Sequence, residues 1–280
     1  MQNATFSDLR PSPIAGSWYS SDPAELKADI QGYFKKAPSP AFGGEVVSLI
    51  VPHAGHVYSG LTAAHAFKAL DGRHYDKVVL VAPSHHAYRS ALLTTGHQAY
   101  WTPLGAIPVD HTSLESLELP IEPVRHDQEH SLEIELPFLQ TLLPQGFDLL
   151  PIVMLEQSEI TAQSLGQALA QWANSLSGQK RVLLVASSDL SHFHSESQAN
   201  LLDGQIINAL KTMDPAELHR VARLGKGEAC GLGPMAAILT ASGLLGANHL
   251  TITDYRTSAA VNHDHRSVVG YVSAVITKPT

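Results

Sequence analysis

Six short runs of consecutive apolar residues recur along the chain, and none of them alternates between apolar and polar positions. Runs of this kind, rich in Val, Ile and Leu, are typical of strands that are covered on both faces of a sheet. We therefore predict buried strands at residues 46–51, 77–82, 148–154, 181–186, 249–253 and 267–276.

Helical segments lie between these runs. Asp22 and Pro23 are typical of an N-cap and a first helical position, and Asp214 and Pro215 repeat the pattern. Strands and helices alternate with no linker rich in Gly and Ser, so we predict one α/β domain over residues 1–280 with helices on both faces of a sheet. Further helices are predicted at residues 61–70, 158–176, 195–210 and 234–245, and a loose tail at residues 1–9.

Titratable side chains follow three of the predicted strands. His53 ends the first, His85 and His86 end the second, and Asp189 and His192 follow the fourth. Ligands of open parallel sheets bind outside the carboxyl ends of the strands. A solvated role is the alternative for each histidine, but the repeated position relative to a strand favours one shared crevice.

Charge and cysteine content narrow the function classes. The net charge of −8 argues against binding to nucleic acid or to an anionic membrane surface. One cysteine permits no intrachain disulfide, and the N-terminus lacks a signal-peptide pattern, so a cytoplasmic location is expected. No apolar run approaches the roughly 20 residues that span a bilayer. Oligomeric state carries no prediction.

The single cysteine, Cys230, lies among glycines just before a predicted helix. A thiolate favoured by the helix N-terminus is one interpretation, and a small buried apolar residue is the other. Imidazoles and a thiolate suit Fe, Cu or Zn rather than Mg or Ca. No G-x-S-x-G elbow or phosphate-binding glycine loop competes with a metal site.

A second polar cluster, "RHDQEHSLEIELPFL", contains His126, His130 and Glu133. On a helix, His130 and Glu133 would share one face. Alternatively, Ser131 is an N-cap that leaves His130 outside the helix, or the segment is a polar loop. The spacing does not match the zinc protease motif H-E-x-x-H.

Six segments of the chain together form a pattern, and from the N-terminus they are "RPSPIAGSWYSSDPAELKADI", "PHAGHVYSG", "APSHH", "EHSLEIELPFL", "SSDLSHF" and "ACGLGP". Together they resemble the MEMO family, also called protein B of the AmmeMemoRadiSam system. The resemblance runs from residue 10 to about residue 276. It implies the fold of class III extradiol dioxygenases, a single three-layer α/β/α sandwich around a mixed, mostly parallel sheet.

The resemblance also implies site residues. It places a mononuclear metal on His53, His85 and Cys230, with Asp189 and His192 beside it. The family usually has Tyr where this chain has His56, which changes the expected polarity of the pocket. The further pocket residues that we predict are Glu129, His130, His86, His56 and Tyr58. Gly55 and Gly60 are expected to form a tight turn into the helix at 61–70.

The expected function is therefore metal-dependent chemistry on a small molecule or peptide. Fe(II) is expected first, with Cu or Zn as alternatives. If the protein is an enzyme, we expect a non-haem oxidoreductase of the extradiol type, with His192 as the acid–base group and Asp189 orienting or tuning it. A peptide-binding module with a vestigial metal site and a zinc hydrolase are the alternatives. The resemblance also implies a functional link to a radical SAM protein.

Overall fold

Strands and helices alternate along residues 6–39 and 41–279, which are the parts of the chain that the computed structural model describes. The strands are β1 (Leu9–Arg10), β2 (Glu45–Val51), β3 (Lys77–Pro83), β4 (Leu92–Thr95), β5 (Ala99–Thr102), β6 (Gly105–Pro108), β7 (Ile121–Val124), β8 (Asp148–Met154), β9 (Val182–Ser187), β10 (His192–His194), β11 (His249–Thr257) and β12 (Val268–Lys278). The helices are α1 (Pro23–Lys36), α2 (His56–Phe67), α3 (His111–Glu115), α4 (Leu136–Leu142), α5 (Glu159–Ser175), α6 (Glu196–Lys211), α7 (Pro215–Arg223), α8 (Leu232–Leu244) and α9 (Ala259–Asn262), with 3₁₀ turns at Lys68–Leu70 and Glu133–Glu135.

A large mixed sheet forms the middle of the fold. Its strand order is β10-β12-β2-β9-β3-β8-β4-β7, and β11 also pairs with β12. The central strands β2, β9, β3 and β8 are parallel, whereas β12 and β4 run antiparallel to their neighbours β2 and β8. The carboxyl ends of β2, β9 and β3 consequently lie side by side.

Helices cover both faces of this sheet. Leu49 and Leu80 pack under α1, α2 and α4, whereas Ile50 and Val81 face α5, α6, α7 and α8. Successive strand residues point to opposite faces, and both faces are buried, which explains why the strand sequences are continuously apolar. The predicted α/β sandwich with a mixed, mostly parallel centre is confirmed.

Both predicted N-caps are confirmed. The carboxylate of Asp22 accepts hydrogen bonds from the backbone N–H groups of Ala24 and Glu25, and Asp214 accepts one from Ala216. Each cap satisfies N–H groups that have no partner within the helix.

The turn predicted at Gly55 and Gly60 is confirmed for Gly55, which is the N-cap of α2, and is wrong for Gly60, which lies within the helix. A Cβ at Gly60 would lie 2.8 Å from the Tyr33 ring of α1. Gly60 therefore serves the close approach of two helices rather than a turn.

The amino-terminal segment is tied to the fold. Asp8 accepts hydrogen bonds from Arg125 and His97, and Leu9 lies in β1, which pairs with β5. Residues 1–5 of the predicted loose tail lie outside the described residues.

None of the helices within residues 6–39 and 41–279 combines the length and the apolar character that crossing a membrane requires.

Candidate metal centre

Three separate loops bring their functional side chains together at one edge of the large sheet. His53 follows β2, His85 follows β3, and Cys230 precedes α8. One ring nitrogen of each histidine and the Cys230 sulfur all lie within 4.8 Å of one another. The parallel pairing of β2 and β3 with β9 between them makes this meeting possible.

His53 is the buried member of the group. Its Nδ1 lies 2.8 Å from the Ser187 hydroxyl, which donates its own proton to the Ser131 carbonyl at 2.7 Å. The hydroxyl must therefore accept from an Nδ1–H of His53, which leaves Nε2 with a free lone pair. Burial lowers the pKa of His53 well below its usual value and so keeps the ring neutral.

His85 is the outer member, with 33% of its side chain exposed. Its Nδ1 donates to Glu129 Oε1 at 3.0 Å, and its backbone N–H donates to Oε2 at 2.6 Å. Glu129 also accepts from the backbone N–H groups of His130 and Ser131. Burial disfavours the Glu129 charge, but the hydrogen bonds from His85 and Ser131 hold its pKa well below its usual value.

Cys230 completes the group from the opposite side. Its sulfur lies 3.1 Å from Nε2 of His53 and accepts from the Asp189 backbone N–H at 3.2 Å. Burial, and after it the charge of Asp189, raises the pKa of the thiol well above its usual value. Without a cation the S–H therefore stays protonated and donates to the free Nε2 of His53.

The residue after Cys230, Gly231, lies where no side chain fits. A Cβ at this position would lie 2.3 Å from the Ser187 carbonyl oxygen, so the Cys230 loop approaches the end of β9 more closely than any larger residue permits. The Gly231 N–H donates to the Ser188 hydroxyl at 2.9 Å. The Gln157 amide, in the segment just before α5, donates to the Cys230 carbonyl at 2.8 Å and so fixes the loop.

A pocket of about 470 Å³ opens above these side chains. Trp18, Val57 and Tyr58 form an exposed, largely apolar wall. The Trp18 ring lies 4.2 Å from the His130 ring, and His130 lies 4.7 Å from the His85 ring, measured between centroids. A row of flat side chains thus leads from the rim to the centre, which favours a small ligand with a flat apolar part.

A family model described as a Memo-like protein matches residues 10–275 of the chain. The chain belongs to the Memo family. The MEMO1 family protein of Methanosarcina barkeri is 34% identical over 271 residues, covering 96% of this chain and 100% of that protein. The MEMO1 family protein of Sulfolobus acidocaldarius is also 34% identical, over 283 residues, covering 95% and 98%. The predicted family is therefore confirmed.

A solved structure resembles this Memo chain more distantly. It is an uncharacterized protein from Escherichia coli K12, with 13% identity and a TM-score of 0.49, and it covers 83% of this chain and 100% of its own. A likeness at this level carries no argument about function.

Asp189 and His192 both line the pocket of this Memo chain, but they do not act as a pair. In the described part of the chain, no hydrogen bond joins their side chains. Asp189 instead accepts from the His53 backbone N–H at 2.8 Å, and its burial raises its pKa to about 7. Burial lowers the pKa of His192, so this imidazole is neutral at pH 7. Asp189 therefore holds the His53 turn and does not orient His192 by a hydrogen bond.

Three residues predicted for the pocket lie elsewhere. Glu129 sits behind His85, and His86 is exposed next to Ser84. His56 lies beneath the pocket, where its Nε2 bonds the Ile134 carbonyl at 2.9 Å. Its ring packs 4.8 Å from the Phe138 ring, and burial lowers its pKa to about 4. His56 is thus a core histidine rather than a residue of the pocket.

Glu133 is not part of the group formed by His53, His85 and Cys230. Because Glu133 is the first residue of a 3₁₀ turn, His130 lies outside any helix. The carboxylate of Glu133 pairs with Arg10 at 2.6 Å. Sequence reasoning missed this pair because 123 residues separate its members. It also missed Trp18, although the segment "GSWYSS" that carries it was one of the six family-like motifs.

Proposed function

We propose that His53, His85 and Cys230 hold one transition-metal ion and that the pocket above it binds a small molecule. The observation that carries the proposal is the contact that each histidine makes through Nδ1. His53 is engaged there by Ser187 and His85 by Glu129, so in each neutral ring Nε2 carries the lone pair that a metal would bind. Metal-binding histidines almost always carry such a partner on the other nitrogen.

The donor set fits a transition metal. Two imidazoles and one thiolate suit Fe, Cu or Zn, and three protein ligands are typical of a site with an open coordination position. A bound ion would supply Lewis-acid or redox chemistry at that position. Fe(II) is our first choice because of the likeness to extradiol dioxygenases that the sequence motifs imply, and this likeness stays a prediction.

The side chains of the pocket have two further roles, which are ligand binding and proton transfer. Trp18 and Tyr58 bind the flat apolar part of the ligand, and their wall excludes water from it. The neutral imidazole of His192 takes a proton from a hydroxyl of the ligand. Oxidative chemistry on a small phenolic molecule is the activity that we propose for this arrangement.

Elemental analysis of anaerobically purified protein tests the metal site. We expect about one metal ion per chain in the wild type and a loss of more than about 100-fold in affinity in Cys230→Ser, since losing a ligand costs more than losing an outer partner. The Ser48→Ala variant is the control, because Ser48 is also buried and hydrogen-bonded, to Ser242, but lies away from the centre. Wild-type protein that takes up neither Fe(II), Cu(I) nor Zn(II) contradicts the proposal.

Oxygen uptake tests the activity. Iron-loaded protein is mixed with catechols under air, and uptake should depend on His192 and on Cys230. Zinc-dependent ester or amide cleavage lost in His192→Ala would favour a hydrolase instead. Peptide binding that survives Cys230→Ser would favour a binding module.

A further inference from the structure

Arg10 lies at the centre of a buried ion cluster that the proposed chemistry does not use. The residue is 2% exposed, its Nη1 donates to Glu133 at 2.6 Å, and its Nε donates to Asp127 at 3.2 Å. The guanidinium lies 4.7 Å from the centroid of the Tyr100 ring. One cation thus faces two carboxylates in a site closed by an aromatic ring.

The same cluster fixes the backbone of Glu129 on both sides. The Nη2 of Arg10 donates to the Glu129 carbonyl at 2.8 Å. Asp127, which Nη2 also binds, accepts from the Glu129 N–H at 3.1 Å. The position of Glu129 therefore depends on the Arg10–Asp127 pair.

Glu129 in turn orients His85 through Nδ1 and through the backbone N–H. We infer that Arg10 is a positioning residue for the metal centre, because it holds Glu129 where its carboxylate directs Nε2 of His85 at the metal. The inference rests on the proposed function for the identity of the centre. Its geometric part, from Arg10 through Glu129 to His85, stands independently of any metal.

An arginine is required by the shape of this contact. A planar guanidinium offers five N–H donors and reaches Asp127, Glu133 and the Glu129 carbonyl at once, whereas the single nitrogen of a lysine cannot. Removing the positive charge altogether would leave two largely buried carboxylates without a cation, which is strongly destabilising. Arg10→Lys is therefore the informative variant, and Asp127→Ala is the second, since the Asp127 side chain is 12% exposed.

Tyr19→Phe is the matched control. The Tyr19 hydroxyl donates to Glu133 at 2.6 Å, so the variant perturbs the same buried cluster without a contact to Glu129. In zinc competition titrations, Arg10→Lys and Asp127→Ala should bind about 10-fold more weakly or worse, as for other outer partners of metal ligands. Tyr19→Phe should bind zinc as the wild type does.

The tautomer of His85 gives a readout that needs no metal. In ¹⁵N NMR spectra of the metal-free protein, recorded at a pH at which the His85 ring is neutral, His85 should carry its proton on Nδ1 in the wild type and in Tyr19→Phe. It should become a mixture of tautomers in Arg10→Lys and Asp127→Ala. If Arg10→Lys does not fold, Asp127→Ala decides.

Two results overturn the inference: an unchanged His85 tautomer in the Arg10 and Asp127 variants, or an equal effect of Tyr19→Phe. A wild-type protein that binds no zinc, iron or copper contradicts the proposed function instead. In that case the NMR measurement still decides whether Arg10 positions His85.

Discussion

The two histidines of the centre reach it in different ways. His53 is 1% exposed, and the hydroxyl of Ser187 supports its ring, with the carboxyl of Glu135 3.2 Å from that hydroxyl. His85 is exposed, and the carboxylate of Glu129 bonds its ring directly. A neutral group therefore supports the inner ring and a charged group supports the outer one.

The pKa values of the two carboxyls behind the rings are shifted in opposite directions. Burial raises the pKa of Glu135 well above its usual value, and its Oε2 has no partner among the described residues. Hydrogen bonds hold the pKa of Glu129 well below its usual value. The packing of the sheet thus fixes the inner histidine, whereas hydrogen bonds to an ionised carboxylate fix the outer one.

Removing each histidine ring should give the largest difference in stability between the two positions. His53→Ala leaves a buried cavity and should lower the free energy of unfolding by about 2–3 kcal/mol, while His85→Ala at its exposed position should cost under about 1 kcal/mol. Urea denaturation with a chelator present measures both without a contribution from metal. Equal losses would show that burial does not separate the two residues.

Removing the partner of each ring should weaken metal binding, but less than removing a metal ligand does. Glu129→Gln, which removes the charge behind His85, should cost about 10- to 100-fold in zinc affinity, and Ser187→Ala about 10-fold. Competition titration measures both, with Ser48→Ala as the buried-serine control. A larger loss in Ser187→Ala than in Glu129→Gln would reverse the proposed roles.

The two carboxyls should give opposite pH dependence to the stability of the metal-free protein. The folded pKa of Glu129 is lowered, so its stabilising effect is complete above about pH 4.3, the usual value in an unfolded chain, and is lost as the pH falls further. The folded pKa of Glu135 is raised, so its carboxyl costs stability increasingly as the pH rises above about 4.3.

Unfolding free energies measured from about pH 3 to pH 8 test this difference. Glu129→Gln should be less stable than the wild type at pH 7. Glu135→Gln should be more stable, by a margin that grows with pH. Variants that shift in the same direction would contradict the assigned protonation states.

His56→Tyr should have the smallest effect. The variant introduces the Tyr that the family resemblance implies for this position, which lies beneath the pocket. Zinc affinity should remain that of the wild type because neither histidine of the centre contacts Tyr19 or Phe138, which surround His56. A tenfold change in affinity would show that position 56 influences the centre after all.

The strands of the central sheet could be predicted because each is a continuous apolar run. Five of the six predictions agree with observed strands to within about two residues at each end, and the sixth strand, β11, extends further, to Thr257. The short strands β4, β5, β6 and β7 were missed, since four residues give too little pattern to separate a strand from a loop.

The site was partly predictable for a related reason. Side chains that follow parallel strands reach the same edge of a sheet, so the local pattern placed His53 and His85 in one crevice. Their pairing with Cys230 on one metal was implied only by the resemblance to the family. Ser187, Glu135 and Arg10 could not be found in this way, because their roles depend on contacts between side chains far apart in the sequence. His56 could not be separated from His53 because both follow the same strand, and only the start of α2 directs them to different sides.

The order in which the chain is synthesised adds one consequence. His53 and Cys230 are 177 residues apart, and β9, which lies between β2 and β3, ends only at Ser187. A ribosome-bound chain that already contains both histidines still lacks the strand that joins their loops and the sulfur that completes the group. Loading of the proposed metal should therefore be one of the last events in biogenesis, and a chain truncated before residue 230 should leave the ribosome without one.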